Sequence, residues 1–408
     1  MSYALIKQNN DEIIYIYWMN RKDFLSSAAG LGALFAGNRA GAAAASLPGL
    51  PGEGSCQPGR SSVVASPADS APSPSEPVPD PGSAPGSVSA SSAPFFPATL
   101  PVLPPYLRAG DTVAITSPAG YISREGIAPA IALLKQWGFR VRIGRTIGSR
   151  FFGFGGRDEE RAADMQVLLD DPSVKAILCA RGGYGTIRII DRLDFHRFQQ
   201  HPKWIIGFSD VTVLHSHLNR QLGVASLHSK MCNSFPDNWD AAASLQKDTI
   251  LSIYLALVGK KMRYAAVPSA FNRPGIAEGV LVGGNLKMIE SLSGTASDLR
   301  TEGKILFVED TGEYLYSLDR MFWNLKRTGK LVGLKGLVIG GFRIKPDDPG
   351  EEFGIGLQDI VLDRVKDYSY PVCFDFPVGH QIDNFALKCG VAHRLEVSSA
   401  SCTLQEIN

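Results

Sequence analysis

The chain has 408 residues, of which 44% are hydrophobic and 20% charged, and its 41 Lys and Arg nearly balance its 40 Asp and Glu, giving a formal net charge of +1. This balance excludes a broad basic surface for nucleic acid and an acidic solvating tail. The length predicts two or three domains, with enough apolar side chains for hydrophobic cores. Fifteen of the 26 prolines lie between Pro48 and Pro105, so we expect the globular part to begin where that stretch ends.

Residues 1–46 are typical of an export signal. A basic segment at Arg21 and Lys22 precedes the weakly apolar stretch 26–36 and a run of alanines that supplies the small residues of a cleavage site. The basic segment is similar to a twin-arginine signal with Lys as the second residue, and Met19 is an alternative start. Because the apolar stretch is too short to span a bilayer, we predict a cleaved signal, no stable membrane insertion, and a periplasmic or cell-envelope location. The alternatives are an amphipathic helix and a cytoplasmic location.

Residues 47–100 are rich in Pro, Ser, Ala and Gly. Their few large apolar side chains cannot offset the entropy cost of an ordered backbone, so we predict a disordered tether. Six cysteines are scattered along the chain without a C-x-x-C pair, which indicates neither a structural zinc site nor a disulfide scaffold. In an oxidising compartment a pair such as Cys373 and Cys389 could still form a disulfide.

From Asp111 onward, short β-branched runs alternate with helical segments. Near-continuous apolar runs are typical of strands buried on both faces of a parallel sheet, with helices above and below. The first α/β domain is therefore predicted with strands at 112–116, 174–179 and 204–207 and helices at 127–137 and 159–169.

A second, smaller α/β domain is predicted after a helical region at 241–258. Its strands lie at 279–285, 304–309 and 336–341. Glycine pairs at the ends of two of these runs indicate sharp bends or barrel-like curvature more than an open doubly wound sheet.

Ser209 is the candidate nucleophile. It stands where the apolar strand 204–207 must turn abruptly into a helix, a position that projects a hydroxyl above the sheet and lets backbone N–H groups stabilise an oxyanion. The match to G-x-S-x-G is incomplete, because Val211 stands in place of the second glycine. On this motif alone, a helix N-cap is an equal alternative.

A serine nucleophile needs a base, and the base needs an orienting acceptor. His380 is presented from a loop after the apolar strand 372–376, whereas the other six histidines are interpreted as structural or solvated. Glu309 ends the strand that starts at Lys304 and is placed to accept from an imidazole. The neighbouring Asp310 is predicted to cap the helix that starts near Tyr314.

The Arg-Gly-Gly-Tyr-Gly loop at 181–185 follows a buried strand and can bring backbone N–H groups against an anion. It lacks both the G-x-G-x-x-G frame and the Walker lysine, so no nucleotide cofactor is predicted. We interpret it as a second source of oxyanion donors and as part of the substrate floor; the alternative is a tight turn that needs positive φ.

Together these motifs resemble the serine peptidases of the LD-carboxypeptidase family, which includes muramoyl-tetrapeptide carboxypeptidases and microcin C immunity peptidases. The resemblance covers about 103–400, and the order and spacing of the motifs make it specific. The motifs are 110–113, 117–120, 181–185, 207–210, 283–286, 307–310, 318–321 and 377–380.

The resemblance implies a catalytic triad of Ser209, Glu309 and His380, with neither metal nor cofactor. It also implies oxyanion donors and, more loosely, substrate-binding residues. The implied donors are the N–H of Asp210 and that of Gly182 or Gly183, and the implied substrate contacts are Asn285 and Tyr184.

In fold, the resemblance implies an N-terminal flavodoxin-like (class I glutamine amidotransferase-like) parallel-sheet domain at 101–235. A helical inter-domain linker at 236–275 then leads to a C-terminal swivelling β-barrel-like α/β domain at 276–408, which carries the Glu and His of the triad. A homodimer is also implied.

In function, the resemblance implies hydrolysis of the amide that joins the terminal D-alanine to diaminopimelate or lysine in a murein tetrapeptide. Two alternatives remain open. One is cleavage of a peptide–nucleotide or similar C-terminal amide conjugate, for which Trp239 is a candidate stacking residue; the other is a non-catalytic wall-binding module. Phe208 departs from the tyrosine common before the family's nucleophile, and an export signal departs from the family's cytoplasmic murein recycling.

Overall fold

The computed structural model describes Ser2–Gln8, Ile13–Asn20 and residues 101–407. The predicted tether and the basic and apolar core of the predicted export signal lie outside the described residues. Strands β1 (Ser2–Gln8) and β2 (Ile13–Asn20), which the sequence pattern did not predict, precede that core and pair antiparallel with each other. In the described part of the chain, no helix is long and apolar enough to cross a membrane.

The first sheet has six strands, and its strand order matches the flavodoxin-like prediction. The strands are β3 (Thr112–Thr116), β4 (Arg140–Ile143), β5 (Val174–Cys179), β6 (Trp204–Gly207), β7 (Ser226–His228) and β13 (Leu387–Cys389). They are ordered β4-β3-β5-β6-β7-β13, and all neighbours are parallel except β7 and β13. The five parallel strands thus follow the 2-1-3-4-5 order of flavodoxin-like folds. Strand β13 shows that a segment from the C-terminal part of the chain completes the first sheet.

Helices cover both faces of this sheet, because alternate residues of its apolar strands point into two different cores. In β5, Leu178 belongs to one core, while Ile177 and Cys179 belong to the other, and all three are fully buried. The helices of this part are α1 (Ala128–Gln136), α2 (Asp158–Asp170), α3 (His196–Gln200), α4 (Thr212–His217) and α5 (Ser244–Leu257). Five 3₁₀ turns also occur, at Glu125–Ile127, Thr186–Arg188, Ile190–Arg192, Ser209–Val211 and Cys232–Ser234, and a π-helical turn at Leu218–Leu222 extends α4.

The second sheet is mixed and contains nine of the described strands. Besides β1 and β2, they are β8 (Lys261–Ala266), β9 (Gly275–Asn285), β10 (Lys304–Glu313), β11 (Gly336–Ile344), β12 (Val372–Cys373), β14 (Ala392–Val397) and β15 (Cys402–Glu406). The order is β1-β2-β8-β15-β14-β9-β10-β11-β12, with β9 to β12 parallel. The helices are α6 (Leu286–Ser291), α7 (Leu315–Arg327) and α8 (Leu357–Arg364). The predicted two-domain α/β fold class is confirmed.

This sheet is curved, as the glycine pairs predicted. The Asn272 side chain accepts from the N–H of Phe374 at 2.7 Å, just after β12, and donates to the Cys402 sulfur in β15 at 3.0 Å. Strands β12 and β15 are far apart in the sheet order, so a contact through one side chain requires the sheet to curl. The five described cysteines are free, and hydrogen bonding to the neighbouring Cys402 thiol, together with burial, raises the pKa of Cys373.

Candidate active site

Ser209 lies at a strained turn between β6 and α4. Its φ of +62° is in the left-handed region, which costs a non-glycine residue about 1–2 kcal/mol and concentrates at functional sites. The buried His215 supports the turn. Its Nε2 contacts the Gly207 carbonyl at 2.9 Å, and its Nδ1 contacts the Ser226 hydroxyl at 2.8 Å. Ser209 is inside the 3₁₀ turn, where Phe208 is the N-cap residue. The helix N-cap alternative is therefore wrong, and a nucleophile at a strand-to-helix turn remains the interpretation of Ser209.

Glu309 and His380 meet as the sequence predicted. The His380 Nδ1 lies 2.5 Å from Glu309 Oε2, and the Glu309 side chain is completely buried. The loop that carries His380 is fixed by a hydrogen bond from the Gly379 N–H to the Asn384 side chain at 2.9 Å. An imidazole that donates its Nδ1 proton to a carboxylate leaves Nε2 as the acceptor for another proton.

The electrostatics keep Glu309 ionised. Burial alone would raise the pKa of this carboxyl, but the imidazoles of His228 and His380 outweigh burial and lower the pKa to about 2. The two contacts are unequal, because His228 Nε2 lies 3.9 Å from Glu309 Oε1, beyond hydrogen-bond distance. His380 is therefore the hydrogen-bonded partner, and His228 acts through its proximity.

His228 is a site residue that the sequence analysis placed among structural histidines. It ends β7, is completely buried, and packs edge-on against Phe307 and Phe208 with ring centroids 5.0 and 5.8 Å apart. Strand-end position alone did not distinguish it from the other histidines. The signal that could have found it is the parallel order, which brings the carboxyl ends of β6 and β7 to one edge.

A continuous set of contacts connects the predicted nucleophile with the Glu–His pair. The Phe208 ring, one residue before Ser209, lies 4.9 Å from the His380 ring. On the other side, a Cβ added at Gly182 would stand 3.4 Å from the Ser209 hydroxyl oxygen. The glycine loop, residues 181–185, therefore approaches Ser209 closely enough for a backbone N–H to reach a reacting oxygen at that position.

Asp210 ties the nucleophile turn to the glycine loop. Its carboxylate accepts from the Thr186 N–H at 2.8 Å, just after that loop. Burial raises the pKa of Asp210, and hydrogen bonds at Thr186 oppose the increase. The Asp210 N–H itself belongs to the first turn of a helix, where N–H groups lack intrahelical acceptors, while Gly183 has a φ of +101° that favours glycine.

The two residues implied for substrate contact are placed very differently. Tyr184 is 52% exposed, with its ring 5.8 Å from that of Phe154. Asn285 is buried, and both ends of its amide are engaged. Its Oδ1 accepts from the Met288 N–H at 3.1 Å, and its Nδ2 donates to Asp310 at 2.9 Å. These contacts make Asn285 the N-cap of α6.

Asp310 differs from its prediction. Its carboxylate accepts from the Lys287 N–H at 2.9 Å, in the first turn of α6, and from the Asn285 amide. The expected cap of the helix near Tyr314 is therefore wrong, because β9 runs parallel to β10 and pairs Asn285 with Glu309, which brings the start of α6 beside Asp310. Burial raises the pKa of Asp310 to about 6. In the described part of the chain, no cluster of His, Cys, Asp and Glu has the size and geometry to hold a metal ion.

Substitution of Gly379 by alanine should damage the Glu–His pair. Gly379 has a φ of +106°, and an added Cβ would stand 2.8 Å from Glu309 Cγ and 2.9 Å from its Oε2. We expect Gly379→Ala to lower the free energy of unfolding by about 2–4 kcal/mol and to lower hydrolysis more than tenfold. The matched control is Gly354→Ala, because Gly354 has a φ of +83° but nothing within 4 Å of an added Cβ. Equal losses in both variants, by thermal unfolding and hydrolysis rate, would contradict the contact with Glu309.

Family models match both parts of the chain that carry this site. The model of the LD-carboxypeptidase N-terminal domain matches residues 113–229, and that of the C-terminal domain matches residues 278–395. A probable murein peptide carboxypeptidase of Bacillus subtilis is 31% identical over 304 residues, which are 74% of this chain and 94% of the relative. A murein tetrapeptide carboxypeptidase of Pseudomonas aeruginosa is 29% identical, over 70% of this chain and 92% of its own length.

Solved structures show the same fold. The muramoyltetrapeptide carboxypeptidase of Oxalobacter formigenes is 30% identical, with a TM-score of 0.65 over 73% of this chain and 99% of that one. The microcin C7 self-immunity protein MccF, at 21% identity, has a TM-score of 0.66 over 76% of this chain and 99% of that one, and it shows the fold alone. The resemblance noted from the motifs is confirmed: the chain belongs to the LD-carboxypeptidase family.

Proposed function

We propose that this protein is a serine LD-carboxypeptidase that releases the terminal D-alanine from murein tetrapeptides, in peptidoglycan turnover or recycling. The observation that carries the proposal is the buried Glu309–His380 pair, joined through Phe208 to a strained serine at the end of β6. Relatives named as murein peptide or murein tetrapeptide carboxypeptidases support the substrate class.

In the proposed reaction, His380 Nε2 takes the proton of Ser209 as the serine oxygen attacks the carbonyl of the L,D amide. Glu309 holds the Nδ1 proton in place and stabilises the imidazolium that forms. The carbonyl oxygen becomes an oxyanion, which backbone N–H groups of Asp210 and of Gly182 or Gly183 stabilise.

The intermediate then collapses, and His380 gives its proton to the leaving nitrogen of D-alanine. Water, deprotonated by the same imidazole, attacks the acyl-enzyme, and the imidazolium returns that proton to the Ser209 oxygen as the ester bond breaks and the tripeptide leaves. The strained turn at Ser209 supports this chemistry, because Gly182 approaches the serine hydroxyl and the ring of the adjacent Phe208 lies against His380.

Incubation with purified muropeptides should convert tetrapeptides to tripeptides with release of D-alanine, observed by mass spectrometry. A fluorophosphonate probe should label the wild type and not the Ser209→Ala variant. If a peptidyl-nucleotide is cleaved while tetrapeptide keeps its D-alanine, the murein substrate is wrong. If folded wild type is neither labelled nor active, a non-catalytic wall-binding module replaces the proposal. Trp239, the candidate for stacking on a nucleotide base, packs against the first hydrophobic core.

The signal-like sequence at 1–46 and the tether at 47–100 support export of the catalytic module to the periplasm or cell envelope. The proposed organisation places the nucleophile at 101–235, a linker at 236–275 and the other two triad residues at 276–408, in a homodimer. Cell fractionation and light scattering test these points. Full-length protein confined to the cytosol would contradict export, and a monomer at working concentration would contradict the dimer.

A further inference from the structure

Lys230 is a partly buried cation that touches both halves of the proposed catalytic machinery. Its Nζ donates to the Gln381 carbonyl at 2.5 Å, one residue after His380. The same Nζ lies 5.7 Å from the centre of the Phe208 ring, one residue before Ser209. Lys230, two residues after His228 at the end of β7, therefore lies beside both the turn that carries Ser209 and the loop that carries His380.

The charge of Lys230 has no ion-pair partner among the described residues. Glu309 attracts it but is already hydrogen-bonded to His380, and Asp383 attracts it without forming an ion pair. A lysine ammonium has three N–H donors, and the Gln381 carbonyl uses one. Because removing an ammonium from water is costly unless it is paired, the remaining donors indicate an anionic ligand.

We propose that the Lys230 ammonium binds the free carboxylate of the substrate's C-terminal residue and thereby selects for release of a single terminal amino acid. The inference rests on the proposed function, because it places the leaving residue beside His380. His380 must protonate the leaving nitrogen, and the carboxylate carbon of that residue is two bonds, about 2.5 Å, from this nitrogen. A cation held next to the His380 loop is therefore on the side where the carboxylate must lie.

A substrate pair separates carboxylate binding from a merely structural tie to the Gln381 loop. One member is a murein tetrapeptide with its free D-alanine carboxylate, and the other is the same peptide ending in D-alaninamide. Wild type should prefer the acid. Lys230→Met, which keeps the long apolar stem over Phe208, should lower kcat/KM for the acid about 10- to 100-fold, mostly through KM. It should change kcat/KM for the amide less than threefold.

Lys335→Met is the matched control. Lys335 is exposed and immediately precedes β11, beside the start of β10 and away from Glu309. Lys335→Met should leave kcat/KM unchanged for both substrates. Equal losses on acid and amide in Lys230→Met would assign Lys230 a structural role and overturn the inference, and so would an unchanged preference for the acid.

Binding measured in the Ser209→Ala background keeps this inference distinguishable from the proposed function. Titration calorimetry should show tighter binding of the acid than of the amide, and the addition of Lys230→Met should remove that difference. If wild type fails to hydrolyse tetrapeptide but this binding preference persists, the reaction is wrong and the carboxylate site stands. If hydrolysis occurs without any preference that depends on Lys230, the site is wrong and the reaction stands.

A pH profile gives a further readout. Burial lowers the pKa of Lys230 to about 8, with Asp383 and Glu309 opposing the decrease and Arg343 adding to it. The ammonium is present below that pH, so kcat/KM for the acid should fall up to tenfold per pH unit above about 8, whereas the amide should lack this fall. Lys230→Arg, which stays charged, should move the fall to higher pH. Identical acid and amide profiles would contradict the assignment.

Discussion

Replacement of Ser209 by alanine or glycine should abolish hydrolysis in both cases, while the two variants should differ in stability. Loss of a nucleophile in a Ser–His–acid site typically lowers kcat about 10⁴- to 10⁶-fold. Alanine keeps a Cβ in the left-handed region at a φ of +62°, and glycine does not. Ser209→Gly should therefore unfold with a free energy about 1 kcal/mol higher than Ser209→Ala, since removal of strain outweighs the added freedom of the unfolded chain.

The measurements are D-alanine release and thermal unfolding, with Ser216→Ala as the control. Ser216 is a buried serine in α4, outside the proposed machinery, so its replacement should leave kcat within about twofold. Residual activity of Ser209→Ala within tenfold of wild type would reject Ser209 as nucleophile. A glycine variant less stable than the alanine variant would reject the strain at this turn.

Much of this site could be predicted from the sequence because its members end or follow apolar runs. Ser209 and Glu309 each end or directly follow an apolar run, and His380 follows another, so local pattern alone marks three chemically competent side chains. Within one parallel sheet such ends gather at one edge, which applies to Glu309 and His380 in the second sheet, whereas Ser209 follows β6 of the first sheet. The near-continuous apolar character of β3, β5 and β6 also predicted a parallel sheet covered on both faces, whereas the flavodoxin-like strand order was implied only by the family resemblance.

Other features depend on contacts between distant segments, and local pattern could not indicate them. Asp310 caps α6 and not the helix that follows it, because the register of β10 against β9 decides which helix start lies nearby. Strand β13 pairs antiparallel with β7 across a long stretch of chain. No sequence motif surrounds Lys230, and its proposed role follows only from its contact with the loop that carries His380.

Substitution of Glu309 by glutamine should lower kcat about 10³- to 10⁴-fold while leaving the shape of the site almost unchanged. The carboxylate accepts the Nδ1 proton of His380 at 2.5 Å, so the imidazole presents Nε2 as a base. An amide can instead donate to Nδ1, which favours the wrong tautomer, and it cannot stabilise the imidazolium. Hydrolysis of tetrapeptide near neutral pH measures this loss.

The same variant should also change how stability depends on pH. The pKa of Glu309 is lowered from 4.5 to about 2 in the folded protein. Its ionisation therefore stabilises the fold above the unfolded pKa, near 4.5, and this contribution is lost as pH falls toward 2. The difference in unfolding free energy between wild type and Glu309→Gln should be constant near neutral pH and shrink below about 4.5.

Glu406→Gln provides the control for a buried glutamate that lies outside the site. Glu406 pairs with the buried Lys388 at 3.0 Å, and loss of that charge should destabilise the fold by about 3–5 kcal/mol. The activity of the folded fraction should remain within about twofold of wild type, because Glu406 has no part in orienting His380. A loss of kcat that merely follows stability in both variants would show that Glu309 supports the fold alone. A loss confined to Glu309→Gln identifies its carboxylate as the group that sets the His380 tautomer.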